Sequence, residues 1–220
     1  MLMYVAAFAV AAAAVIPPWL LASFRVDVPG GTAPKVDGTV EPGEWDGAWR
    51  SAPGRPAVLL RHDGQDVYLA VTASAFAVTS VYIVRGNQLR ILHASAAIGD
   101  STYERSGARW KVVSGFSTWE RYRDAADLDA RGPTFFAGHQ WMGSHMRLGA
   151  TGDTEMRLAG SLIEGARIAV TYYDPGARKL LLVFPASVAG DVTAHEIQAG
   201  YNPELLTVDP SDWAILTRRP

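Results

Sequence analysis

The residues best placed for chemistry stand together at His139-Gln140-Trp141-Met142-Gly143-Ser144-His145-Met146. Imidazole nitrogen and thioether sulfur are borderline-to-soft donors; they suit copper, and both serve as axial ligands of haem. Haem needs two ligands facing each other across an apolar slot, and neighbours in one loop do not face one another. His139 with Met146, or His145 with the distant His93, would have to supply such a pair. The plainer reading is a loop in which the histidines are polar surface and the methionines pack. Trp110, Trp119, Tyr122, Gln140 and Trp141 add flat rings and an amide of the kind that grip sugars. Rings in a domain of this size more often fill the core. The whole stretch 119–147 is also rich in Trp, Tyr, Met and Arg, residue types enriched at protein interfaces.

Other chemistries find less support. Ser95 lies in Leu92-His93-Ala94-Ser95-Ala96-Ala97-Ile98-Gly99, which lacks the G-x-S-x-G elbow of a nucleophilic serine and reads as a small-residue bend packing on a neighbour. Asp124, Asp127 and Asp129 lack the glycine and terminal glutamate of a calcium loop and read as a solvated acidic turn. No phosphate-cradling glycine motif occurs. The chain has no cysteine, which excludes disulfides, thiolate catalysis and Cys-ligated metals. A formal charge of -2 gives no basic face for a polyanion, so nucleic acid is not an expected partner. No catalytic set emerges, and a non-catalytic protein without a resident cofactor is expected.

The elements that must carry these residues are short. In 220 residues that are 49% hydrophobic there is room for one domain and an appendage. Ala57–Arg61 and Asp66–Ala73 flank Asp63-Gly64, and Val78–Arg85 and Gln88–His93 flank Gly86-Asn87, two hairpin signals. Arg109–Val113, Glu155–Leu162, Arg167–Tyr173 and Lys179–Phe184 complete a set of short strands. Such spacing predicts a mostly β, antiparallel two-sheet sandwich or barrel. Helix is expected only at Ser117–Leu128 and as one turn at Pro210–Trp213, with 129–154 a long loop.

The appendage is the first segment. Leu2 to Phe24 is an uncharged run of 23 residues, long enough to cross a bilayer core. It lacks a basic leader, and Leu20-Leu21-Ala22 puts a large residue where signal cleavage wants a small one, so a retained membrane anchor over 1–24 is expected. Pro17-Pro18 ends its helix and sets Trp19 at headgroup depth. Residues 25–34 read as a Gly/Pro linker and 35–220 as the globular domain.

The domain opens with Pro34-Lys35-Val36-Asp37-Gly38, followed by Glu44-Trp45 and later Asp66-Val67-Tyr68-Leu69-Ala70-Val71. This resembles the entry motif of the DOMON-like superfamily, which includes family 9 carbohydrate-binding modules. Glu155-Met156-Arg157-Leu158 is similar to a later strand of the same family. Asp37-Gly38 suits a turn, and Trp45 and Trp49, four apart, are expected on one face of a helical turn, plugging a sandwich end together with Tyr68. The resemblance implies an extracytoplasmic β-sandwich, in a bacterium periplasmic, despite Arg25 and Lys35 on the C-terminal side of the anchor. It further implies glycan binding in one branch and haem b binding in another. The function expected is a membrane-anchored accessory subunit docking on a larger membrane protein complex, possible hosts including respiratory and photosynthetic ones. The alternatives are a cell-surface carbohydrate-binding module and a haem-b electron-transfer subunit.

Overall fold

The computed structural model describes residues 24–72, 77–116, 119–145, 152–188 and 204–219. The fold is mostly β, with two sheets packed face to face. Strands β1 (Arg25–Val28), β2 (Trp49–Arg50), β3 (Ala57–His62), β4 (Asp66–Thr72), β5 (Val78–Arg85), β6 (Gln88–Ala94), β7 (Ile98–Ser106), β8 (Arg109–Ser114) and β9 (Trp119–Glu120) come first. Helix α1 (Ala125–His139), β10 (Trp141–His145), β11 (Thr154–Ala159) and the single-turn α2 (Gly160–Ile163) follow. The described part ends with β12 (Arg167–Asp174), β13 (Lys179–Phe184), β14 (Leu205–Leu206) and β15 (Ala214–Arg218). The larger sheet runs β1-β15-β12-β5-β6-β7-β8-β14, with β13 also on β12 and β9 on β7; the smaller runs β10-β11-β4-β3-β2.

Both expected hairpins form, β3–β4 and β5–β6 in antiparallel register. Their strands are buried along nearly their whole length rather than at alternate residues, because each sheet is covered on both faces. Val58, Leu60, Leu69, Val81, Ile83, Leu92 and Val170 meet between the sheets. On the outer face of the smaller sheet Leu59, Tyr68 and Ala70 are covered by Trp45 and the entry segment. On the outer face of the larger sheet Tyr82, Ile91, Tyr103 and Trp110 are covered by Leu206, Val208 and Trp213.

The structure corrects three expectations. Residues 25–34 are not all linker: Val26 and Val28 are buried in β1, which pairs in parallel with the last strand. The described strands therefore start at Arg25, and only four alternating residues precede Pro29-Gly30-Gly31, too few to stand out as a strand. Residues 129–154 are not a long loop, because α1 runs to His139 and β10 follows at once. The Asp124 side chain caps α1 by accepting the Asp127 N–H at 2.9 Å. Only Leu128, Gly132 and Phe135 are buried on it, and Pro133 sits inside it, so its periodic signal is faint. Thirdly, Trp45 and Trp49 do not share a face. Trp45 covers the outer side of the smaller sheet, whereas Trp49, in β2, packs against the central core and Phe184.

Among the described residues no helix is long and apolar enough to cross a membrane. The run from Leu2, with Trp19, lies outside them except for Phe24.

Candidate functional site

Two carboxylates organise the end of the sandwich that carries the entry segment and α1. Glu155, in β11, is fully buried. Its Oε2 accepts the N–H groups of Asp37 and Gly38 at 3.1 and 3.0 Å, and its Oε1 accepts the indole N–H of Trp45 at 2.8 Å. Gly38 adopts φ +86°, a conformation costly for a residue with a Cβ, which aims its N–H at the carboxylate. Burial raises the Glu155 pKa to about 7 while the three donors oppose it; the desolvation of a charge wins. The neighbouring Asp153 accepts from Arg55 at 3.1 Å, and Arg61 reaches up through the motif to the carbonyls of Glu44 and Asp46. Tyr68 donates to Asp63 at 2.8 Å, and burial followed by that carboxylate pushes its pKa well up.

Asp100, in β7, is the second node. Its Oδ2 receives Arg90 at 2.6 Å, the Trp141 indole at 2.6 Å and His139 Nδ1 at 3.1 Å. The His139 ring lies flat on Phe135, with centroids 4.2 Å apart, and Phe135 meets Trp141 edge-on. Met142 is wedged under α1. A Cβ on Gly132 would stand 2.6 Å from the Met142 terminal carbon, so glycine is what lets helix and strand approach. Gln140 ends α1 in the left-handed conformation, exposed, with its N–H on the Phe136 carbonyl at 2.7 Å.

Between these nodes lies a cleft of about 160 Å³, whose polar lining includes Asp37, Ser95, Glu120, Tyr122, Asp124 and Ser144. Tyr122 stacks under Arg131 at 5.0 Å, and its buried hydroxyl has no partner among the described residues. Burial, then the charge of Glu120, raises its pKa to about 12. Arg131 bridges Glu120 and Asp127. The polar groups present are hydroxyls, carboxylates and the Arg123 guanidinium, suited to hydrogen-bonding a small polar molecule.

Of the residues singled out in the sequence, Asp37 and Tyr122 meet at this cleft, and His139 and Trp141 meet at Asp100. Trp45, Gly38 and Asp37 meet at Glu155. Trp119 and His145 belong to β9 and β10, with their side chains outside what is described, and Met146 lies outside the described residues altogether. Asp100 and Arg90, and the role of Glu155 as a clamp, escaped the sequence reading. Asp100 and Arg90 are each one polar residue in a strand, with nothing in the local pattern to mark them; the strand from Glu155 stood out, but not its union with Asp37, Gly38 and Trp45.

Among the described residues no two haem ligands face each other across a slot; the side chains of His145 and Met146, one in each pair the sequence offers, lie outside them. Leu92 is opposite Asp100 and His93 is opposite Gly99, so Asp100 with its His139, and His93, lie on opposite faces of the larger sheet. His93 meets Phe116, and Met142 is spent on packing α1. Among the described residues no group of three or more His, Cys, Asp or Glu is placed to hold a metal ion.

Comparisons with family models, with curated proteins and with solved structures find no match for this chain.

Proposed function

We propose that this protein is a membrane-anchored, extracytoplasmic accessory module of the DOMON-like kind, non-catalytic, which docks on a larger membrane protein complex. The observation that supports it is the absence of slack between the uncharged run and the fold. Phe24, the last residue of that run, already accepts the Ile215 N–H at 2.8 Å, and β1 begins at Arg25. An anchor over 2–24 would hold the sandwich close to one bilayer surface in a fixed orientation. That suits a module which presents one face to a membrane neighbour more than one that must search for a soluble ligand. The face offered is α1 with its flanks, where Arg121, Arg123 and Gln140 are exposed, a residue mix in keeping with interface chemistry.

The test is purification of the full chain from its native membrane in mild detergent, with mass spectrometry of all that elutes. A stoichiometric membrane-protein companion and an intact N-terminal peptide support the reading. A lone protein beginning near residue 24 overturns it.

A second reading draws on the cleft. Its hydroxyls and carboxylates beside the Tyr122 ring suit a sugar, and a thermal-shift series with monosaccharides tests for a glycan-binding module.

A further inference from the structure

Among the described residues the two sheets do not close over the core on every side. Trp49, on the edge strand β2 of the smaller sheet, and Phe184, at the end of β13 in the larger, meet with ring centroids 5.2 Å apart. Phe24 meets Phe184 at 5.7 Å and is 44% exposed. Beside them a groove of about 640 Å³ runs along the seam, its apolar wall formed by Phe24, Trp49, Pro56, Leu181 and Phe184. Leu180, Leu181, Leu182 and Val183 are all only partly buried. Among the described residues β13 pairs with β12 alone. An apolar strand at an open sheet edge is a self-association hazard unless something covers it.

What covers it is indicated by where the uncharged run arrives. The 23 residues from Leu2 end at Phe24, which is itself part of the groove wall. If that run is inserted in a bilayer, the seam is brought to the surface it enters. We infer that the open seam lies against the headgroup–acyl boundary of the bilayer, with Phe24, Trp49 and Leu181 in contact with lipid. This rests on the anchor reading above and adds the domain's orientation to it. Trp suits that depth, an apolar ring with a polar N–H at the wet margin of the membrane, and Phe24 and Leu181 add apolar area beside it. The depth is also bounded. The edge of β13 that no described strand pairs carries backbone groups that need water, so the seam touches the boundary and does not sink into the hydrocarbon.

The chain has no cysteine, so single-cysteine labels have no background. Ala52 and Ala186 are exposed residues lining the groove. Val113, 60% exposed on β8, lies four strands along the larger sheet from β12 and serves as the control. Full-length Ala52→Cys, Ala186→Cys and Val113→Cys carry a fluorophore and are reconstituted into phosphatidylcholine vesicles bearing a spin label near the acyl-chain top. The expected result is flotation with the vesicles and loss of fluorescence at positions 52 and 186, with none at 113. Flotation without quenching at 52 and 186 overturns the seam proposal and leaves the anchor standing. Shielding of both labels from aqueous iodide without quenching by the lipid label means that protein, not lipid, fills the seam, and also overturns it. Failure to float removes the anchor reading, and the seam proposal with it.

Discussion

Trp45 donates its indole N–H to Glu155 at 2.8 Å across a sequence separation of 110 residues. The same carboxylate holds the backbone of Asp37 and Gly38. The entry segment is therefore not a loop laid over a finished sheet. It is fastened by one buried acid from a strand in the second half of the chain. The energetics are two-sided: the three donors stabilise the ionised form, and complete burial opposes it more strongly.

That balance gives a pH dependence with a definite sign. Glu155 titrates near 4.5 when unfolded and near 7 in the fold. Between those values the folded state carries more protons, so stability falls as pH rises from about 4.5 to 7 and is level beyond. A shift of that size corresponds to roughly 3 kcal/mol for this one group. Urea unfolding at pH 5, 6, 7 and 8 measures it. Glu155→Gln, which cannot ionise, should be less stable at pH 5 yet show a flattened profile. Identical profiles for the two proteins would remove Glu155 from the account.

Trp45 tests the other partner. Trp45→Ala should lose about 3–5 kcal/mol as a buried large aromatic leaves a cavity over Leu59 and Tyr68. Trp45→Phe keeps most of the ring and loses the donor, at about 1–2 kcal/mol. The indole lowers the Glu155 pKa, so Trp45→Phe should move the pH transition upward. A loss below about 1 kcal/mol for the alanine variant would mean that Trp45 is not the cover it forms here.

The two hairpins and the run of later strands were legible because each carries its own turn residues and apolar spacing. The site was legible only in part. Asp37, Gly38 and Trp45 stand in a recognisable order, but nothing local says that Glu155 closes on them. Their union is a tertiary event. Helix α1 was hidden by Gly132 and Pro133, both poor helix formers, the glycine standing where Met142 needs room. β1 was hidden by its four-residue length and the glycines after it. The spacing of Trp45 and Trp49 suggested a shared helical face, whereas the chain turns into β2 between them and sends the rings to opposite sides of one sheet.

Asp100 gathers three donors on one oxygen. Asp100→Ala should cost roughly 3 kcal/mol, since it leaves the Arg90 guanidinium and the Trp141 indole without their acceptor. Replacing both charges, Asp100→Leu with Arg90→Met, should recover part of that loss, because the pair's burial cost disappears with it. A double-mutant cycle by chemical denaturation reads the coupling. Additive losses would mean that the two side chains do not interact as the geometry has them.

Gly132 and Met142 form a packing pair with a predictable exchange. Gly132→Val should cost about 1–3 kcal/mol, because a branched side chain must share the space of the Met142 terminal methyl. In a Met142→Ala background the same change should cost less, with a coupling on the order of 1 kcal/mol. Equal costs in both backgrounds would show that α1 does not rest on β10 at that point.

Two truncations separate anchoring from folding. Removing residues 1–23 leaves Phe24 and the whole of β1, including the Phe24 carbonyl bonded to Ile215 and the Val28 carbonyl bonded to Arg219. Its stability should match that of the full chain within about 0.5 kcal/mol, since no described contact is lost. It should leave the membrane fraction and lose any co-purifying partner. Removing residues 1–28 also takes Val26 and Val28 out of the core, where they are 2% and 0% exposed. At about 1.5–3 kcal/mol for each buried aliphatic, that loss is a large share of a domain's net stability. The longer truncation should therefore melt far lower or fail to fold. If the shorter one stayed with the membrane, the uncharged run would not be what holds this protein there. If the longer one were as stable as the shorter, β1 would not belong to the fold.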